Sequence, residues 1–259
     1  MFPNGNLIQS LARGLVGLEM AAEGEVSPNE LAERLNIDRS SAYRLLHTLA
    51  VMGYLQQNPN NRKFIPNAVK FLSLTSKIYQ QFSDWPKLSA GYLKTLCAET
   101  GETANLGILE NNHVIYIGQE QPENMVRVFN PPGTQRPVHS SALGKALIAF
   151  LPENEIDDLL ENKIEMTEIT PKTITNPQIF KLHLERVRER GYAVDDEETN
   201  EGVRCIAAPI FDHKGKVLAA MGISGPTSRV TLEKIPAIGE IVLRLAGQLS
   251  EALGYSREE

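Results

Sequence analysis

Cysteine is nearly missing from this chain. Cys97 and Cys205 are its only two, too few and too far apart for a disulfide framework or for the paired ligands of a zinc motif. Long apolar runs are missing too: the longest, Ala146 to Leu151, falls far short of a bilayer span. No basic-plus-apolar leader opens the chain, and no repeat or low-complexity tract interrupts it. These absences lead us to expect a cytoplasmic protein without metal, cofactor or membrane partner. Catalytic signatures are also wanting. His139, Ser140, Ser141, Asp195 and Cys205 are the residue types of a nucleophilic site, yet no GxSxG elbow or cysteine-protease pattern surrounds them. His139, Asp195 and Cys205 lack metal-ligand spacing. An enzyme is the rival class and is not expected.

The amino-terminal part lacks charge of one sign. The chain carries a net charge of −6 over 259 residues, but residues 1–66 are neutral. There Arg13, Arg34, Arg39, Arg44, Arg62 and Lys63 balance Glu19, Glu23, Glu25, Glu30, Glu33 and Asp38. The acidic excess therefore lies in the remainder, which is unsuited to phosphate, while the neutral part can still gather its cations on one face.

What is present is clearest from Ser27 to Leu55. Ser27-Pro28-Asn29-Glu30 reads as a capping box with proline at the first helical position. Leu31, Ala32 and Leu35 form a short apolar face, and Asn36 suits the left-handed turn that ends the helix. Asp38 is placed to cap a second helix, with Ala42, Leu45, Leu46 and Leu49 on one face. Ser40, Tyr43, Arg44 and His47 lie opposite, with Ser41 and Thr48 at one edge. The spacing predicts a helix-turn-helix over residues 28–47, whose second helix fits the major groove of DNA. Arg44 has the fork for guanine O6 and N7, and the Ser40 and Ser41 hydroxyls suit phosphates or base edges. Arg39 falls nearer the apolar seam and is expected to snorkel to the DNA backbone.

Gly53, the run Tyr54–Gln57, the turn Asn58-Pro59-Asn60-Asn61 and the run Arg62–Ile65 predict a hairpin wing. Arg62 and Lys63 at its tip would face phosphate or the minor groove. An ordinary helical hairpin, or a winged helix that binds protein, is the alternative; salt dependence separates them. Upstream, Leu7, Ile8, Leu11, Leu15, Leu18 and Ala22 recur at helical spacing and are expected to pack behind the motif. Gly14 and Gly17 suggest close packing there.

Residues 67–82 predict a linker helix. Val69, Phe71, Leu72, Leu74, Ile78, Tyr79 and Phe82 give it more apolar surface than a free linker needs, as for packing on a partner subunit. The Asp84-Trp85-Pro86 break marks the boundary. Beyond it come a helix over 87–100, then TANLGIL and VIYIG as a hairpin, with MVRVF as a third strand. Helices are predicted over Ser140–Phe150, Glu153–Leu160 and Gln178–Arg190. The strands YAVDD, CIAAPIFD and KVLAAMGISG follow, then a helix from Leu232 to Leu253. The pattern is an α+β domain with one mainly antiparallel sheet and a concave face for a small ligand. The helix start at His139–Ala142 offers free N–H groups to a carboxylate, Ser224 adds a hydroxyl, and Asp195 accepts from a donor. A ligand with an acid and a hydroxyl or N–H group would fit best.

The stretch GLVGLEMAAEGEVSPNELAERLNIDRSSAYRLLHTLAVMGYL resembles the N-terminal domain of IclR-type transcriptional regulators. PVHSSALGKALIAFLP, GYAVDDEETNEGVRCIAAPIFD and MGISGPTSRVT resemble the second domain of the same family, so the resemblance spans nearly the whole chain. It implies a winged helix-turn-helix domain at 1–66 and a GAF-like effector-binding domain at 83–257. It also implies a pocket of Met125, Val128, Ala142, Leu143, Asp195, Val203, Cys205, Gly222 and Ser224. Gly222 stands where better-known relatives carry a serine, removing a hydroxyl that helps hold a carboxylate, while Met125 and Val128 keep the wall apolar. The partners expected are double-stranded operator DNA, a small organic-acid-like effector and further copies of the chain. A single winged domain reads too few bases, so a dimer or dimer of dimers is expected.

Overall fold

The computed structural model describes the backbone of residues 7–81 and 85–256 and the side chains of those residues outside 75–86. The chain divides into two units between Ser83 and Asp84. The side chains of the Asp84-Trp85-Pro86 break, and those of Ile78, Tyr79 and Phe82, lie outside the described residues.

The first unit runs α1 (Gln9–Glu23), α2 (Pro28–Leu35), α3 (Arg39–Val51), β1 (Leu55–Gln57), β2 (Phe64–Pro66) and α4 (Ala68–Gln81). Its helix ends follow local chemistry. The Ser27 amide donates to Glu30 at 2.6 Å and the Glu30 amide donates to Ser27 Oγ at 3.3 Å, satisfying two donors that a helix start leaves open. Asn36 takes the left-handed conformation, φ 50°, to close α2. Asp38 Oδ1 accepts from the Ser41 amide at 2.9 Å and opens α3. Leu31, Ala42, Leu46, Leu55 and Phe64 form the core. The strands β1 and β2 pair antiparallel, and Val26 bridges to Phe64 beside them. The start of α4 rests on the wing: Phe71 meets Tyr54 edge-on at 6.0 Å, and the Lys70 ammonium lies 5.1 Å from the same ring.

The orientation of α1 departs from the expected one. Leu18 packs against the core as expected, but Leu7, Ile8, Leu11 and Leu15 are exposed rather than packed behind the motif, and so is Ala22; Gly14, Gly17 and Ala21 are the buried face. A Cβ on Gly17 would stand 3.1 Å from Leu31 and 3.2 Å from Leu46. A Cβ on Gly14 would meet nothing within 4 Å, so close approach is required at Gly17 alone, and the helical period then turns Leu11 and Leu15 outward.

Lys63 and Ser27 hold the Glu30 carboxyl at a pKa of about 2 against an ordinary 4.5. Ser40 and Ser41 likewise hold Asp38 below its usual range. Both folded values are depressed, so the stability these groups add is complete above the unfolded value and is lost as pH falls through the folded one. The unit is therefore expected to lose stability between pH 4.5 and about 2. Glu30→Gln should flatten that part of the acid-unfolding curve followed by circular dichroism. An unchanged curve would mean the capping box adds nothing.

The second unit opens with α5 (Trp85–Thr100) and builds one six-stranded sheet, all of its pairs antiparallel, in the order β5-β4-β3-β8-β7-β6. The strands are β3 (Thr103–Glu110), β4 (His113–Glu120), β5 (Gln135–Pro137), β6 (Ala193–Asp196), β7 (Val203–Phe211) and β8 (Val217–Pro226). Asn111 and Asn112 both adopt positive φ in the β3–β4 turn, as a tight hairpin requires. MVRVF is not a strand. The Val128 carbonyl accepts from Thr103 Oγ1 at 2.7 Å and the Val126 carbonyl from Arg229 at 3.0 Å, so side chains take the place of a ladder there. The edge strand beside β4 is β5 instead.

The remaining helices are α6 (Ala142–Ile148), α7 (Glu153–Asp158), α8 (Pro177–Arg190) and α9 (Ile235–Ala252). The second of these continues into a π-helical turn, Leu159–Lys163, and α9 is preceded by a short 3-10 turn, Leu232–Lys234. Two cores flank the sheet: α5 and α9 pack with Leu106, Ile206 and Met221, whereas α6 and α8 pack with Val114, Tyr116 and Ala207. Among the described residues, no helix is long and apolar enough to cross a membrane.

Candidate functional site

Each unit presents a site. In the first, Ser40, Tyr43, Arg44 and His47 share the exposed side of α3, with Arg39 exposed at its start and Ser41 half-buried. Tyr43 and His47, four residues apart, stack with ring centroids at 5.4 Å. The Ser40 hydroxyl donates to Asp38 at 2.6 Å, so its proton is already committed and it keeps only acceptor capacity. Arg39 and Arg44 make no ion pair among the described residues. At the wing, Asn58 and Asn61 donate to Glu25, anchoring the turn and leaving Arg62 exposed at the tip with φ 60°. Lys63 turns back to Glu30 at 2.8 Å. That pair is exposed enough to be weak, yet it draws the ammonium away from the tip position expected of it.

In the second unit a small cavity lies between the sheet and α6. Strand alternation explains why it exists. On the far face of the central strands stand Leu106, Ile206, Met221 and Ile223; the cavity face carries Asn105, Cys205, Ala207, Gly222 and Ser224. Small and polar side chains leave room that leucines would fill. Val128, Ala142, Leu143, Asp195, Val203, Cys205, Gly222 and Ser224 all line it. Met125 does not: it is 96% exposed, because the bonds holding the carbonyls of Val126 and Val128 leave its side chain pointing outward. Gly222 has a steric reason beyond a missing hydroxyl. A Cβ there would lie 2.2 Å from the Ile206 carbonyl oxygen, so β7 and β8 approach as closely as they do only with glycine.

The structure adds Asn105, Tyr116, Asn130 and Arg136 to the lining. The first was legible as an amide inside an otherwise apolar strand; Asn130 and Arg136 come from a loop and an edge strand that only the tertiary fold brings to the cavity. Asn105 donates to Ser224 Oγ at 3.2 Å and accepts from Gln119 at 3.2 Å, while Cys205 donates to Ser224 at 3.1 Å. At the start of α6, Ser141 donates to the Pro137 carbonyl at 2.9 Å and accepts from the Gly144 amide at 3.1 Å.

A buried turn holds the cavity's carboxylate. Asp195 accepts from the amides of Glu198 at 2.7 Å and Thr199 at 3.2 Å, and burial raises its pKa against the pull of Lys145. Thr170 and Thr173 donate to the carbonyls of Glu197 and Glu198, each at 2.7 Å. Lys145, fully buried, pairs with Glu198 at 2.5 Å. Nucleophilic chemistry does not assemble here. Burial pushes the Cys205 thiol up, and Asp195 adds to the rise, which keeps it protonated and a poor nucleophile or metal ligand. His139 Nε2 bonds the Thr167 carbonyl at 3.0 Å rather than a serine. No cluster of His, Cys, Asp or Glu able to hold a metal occurs among the described residues.

Known proteins resemble the chain in sequence and in fold. The IclR helix-turn-helix domain family matches residues 10–59, and the family of the bacterial transcriptional regulator IclR C-terminal domain matches residues 83–251. The chain is 34% identical to the HTH-type transcriptional regulator XynR of Escherichia coli, over 96% of this chain and 98% of that protein. It is 35% identical to the transcriptional repressor IclR of Escherichia coli, over 98% and 93%. The acetate operon repressor of Salmonella typhimurium is 34% identical over 96% and 92%. Among solved structures, IclR of Thermotoga maritima superposes with a TM-score of 0.77 at 31% identity, covering 96% of this chain and all of that one. An IclR transcriptional regulator from Alicyclobacillus acidocaldarius superposes at 0.81 with 26% identity and covers 96% of this chain. With both of its units matched and relatives above 30% identity along nearly its full length, the chain belongs to the IclR family of helix-turn-helix transcriptional regulators.

Proposed function

We propose that this regulator binds double-stranded operator DNA through the exposed side of α3 and the Arg62 wing tip, and that a small organic acid in the cavity sets its affinity. The observation that carries the DNA half is the contrast along α3: Ala42 and Leu46 are fully buried while Tyr43, Arg44 and His47 stand exposed. Arg44 is free of ion pairs among the described residues and has the planar fork that recognises guanine. Lys63 joins a phosphate at the small expense of its surface pair with Glu30. The leucine stripe on α1 supports self-association as a dimer or dimer of dimers, since exposed apolar patches of this kind favour a partner.

In the cavity, Ser224 and the α6 start supply donors and Asp195 accepts, which suits an acid that also bears a hydroxyl or N–H group. The effector acts only by binding the DNA-competent and incompetent arrangements with different affinity, and α4, which runs on from the wing, is the natural lever.

Fluorescence anisotropy with the gene's own upstream DNA is expected to give binding that beats scrambled DNA and weakens steeply with salt. Salt-indifferent binding would favour a protein-interaction module. Arg44→Ala is expected to cost about 1–3 kcal/mol and relax preference at one base position. An equal loss on every sequence would make Arg44 a phosphate contact.

A further inference from the structure

Arg136 occupies an unusual place for a cation. It lies in β5 directly opposite Val114 of β4, and directly opposed residues of an antiparallel pair share a face. Val114 is packed in the α6-side core, so the register puts Arg136 on the cavity face rather than the outer one. Arg136 is half-buried and lines the cavity. Among the described residues it makes no ion pair. Its hydrogen bonds are two long ones to neutral oxygens, Asn130 Oδ1 at 3.4 Å and the Gln135 carbonyl at 3.5 Å.

A partly desolvated charge ordinarily has a counter-ion. The acid among the described lining residues is Asp195, and Asp195 is engaged by the amides of Glu198 and Thr199. The planar fork of Arg136 is therefore open to a planar anion, for which its geometry gives two parallel hydrogen bonds.

We propose that Arg136 is the counter-ion of the effector's carboxylate and thereby selects acids over their neutral analogues. The assignment rests on the effector function proposed above and relocates the acid end of the ligand. The carboxylate lies at the β5 edge, with Asn130 beside it, and the hydroxyl or ammonium end points toward Asp195.

The test uses the full chain, with lactate, pyruvate, glycerate and malate as probes, each beside its amide. Thermal shift identifies a stabilising acid, and calorimetry then measures its Kd for the wild type, Arg136→Lys and Arg136→Gln. An acid should stabilise the wild type while its amide does not. Arg136→Gln should weaken acid binding on the order of 10- to 100-fold and narrow the preference for acid over amide, with Arg136→Lys between. That preference is a readout a merely structural role would not move, and Arg136→Lys carries the comparison if the glutamine variant melts early. Equal acid binding by all three proteins overturns the role of Arg136 and leaves the effector function standing. Failure of every acid to stabilise the wild type overturns both.

Discussion

Lys145→Met is expected to remove roughly 3–5 kcal/mol of stability, the range for breaking a buried ion pair from one side. The ammonium is fully buried and lies 2.5 Å from Glu198 Oε1, while Glu198 Oε2 has no partner among the described residues. Without Lys145 the buried carboxylate keeps only a long bond from the Asp196 amide at 3.5 Å and faces the Asp195 carboxyl without a counter-ion. Burial already raises the Glu198 pKa against the pull of Lys145, and removing that pull drives it higher. A group whose folded value is raised gives stability that is full below its unfolded pKa and lost as pH rises through the folded one. The variant should therefore regain part of its loss as pH is lowered from neutral toward that of an ordinary carboxyl. Lys145→Met/Glu198→Met should recover most of it at neutral pH, since two apolar side chains of similar size replace the pair. Urea unfolding of the three proteins at two pH values measures all of this. A single-variant loss under about 1 kcal/mol would mean the pair behaves as a solvated one.

Gly144→Ala is the second large effect, and two opposing terms decide its sign. Alanine raises helix propensity by about 1 kcal/mol over glycine. Against that, a Cβ at this position would lie 2.4 Å from both the Cα and the carbonyl oxygen of Val138. Backbone cannot swing aside as a side chain can, so α6 must lift from the strand end it rests on, with a loss of about 3 kcal/mol or more. The clash wins. Because Ala142 and Leu143 line the cavity, the same displacement should also weaken effector binding. A melting curve at or above that of the wild type would contradict this packing.

Local chemistry made the first unit legible. Ser27 with Glu30, Asn36 and Asp38 each act within four residues, so their spacing alone announces two helices and a tight turn. The stripe on α1 misled because a helical wheel shows that leucines share a face but not whether the core wants bulk or proximity; Gly17 against Leu31 and Leu46 shows that it wants proximity. Lys63 pairs with Glu30 across the unit, a contact no local pattern carries. In the second unit the alternation of strands was visible, and it separates the Ile206 and Met221 face from the Cys205 and Ser224 face. MVRVF alternates in the same way but is held by Thr103 and Arg229, distant residues whose bonds leave Met125 outside. Arg136 escaped for a related reason: a three-residue edge strand has too little pattern to tell which face it shows.

The binding measurement that bears most directly on the regulator as a ligand-controlled DNA switch is one titration performed twice. Labelled upstream DNA is titrated with the full chain, with and without an acid identified by thermal shift, beside scrambled DNA at the same salt. The account predicts preference for the upstream sequence and a Kd for it that shifts about fivefold or more when the acid is added, with no such shift for the amide. Equal affinity for both DNAs, unmoved by any acid, would contradict it.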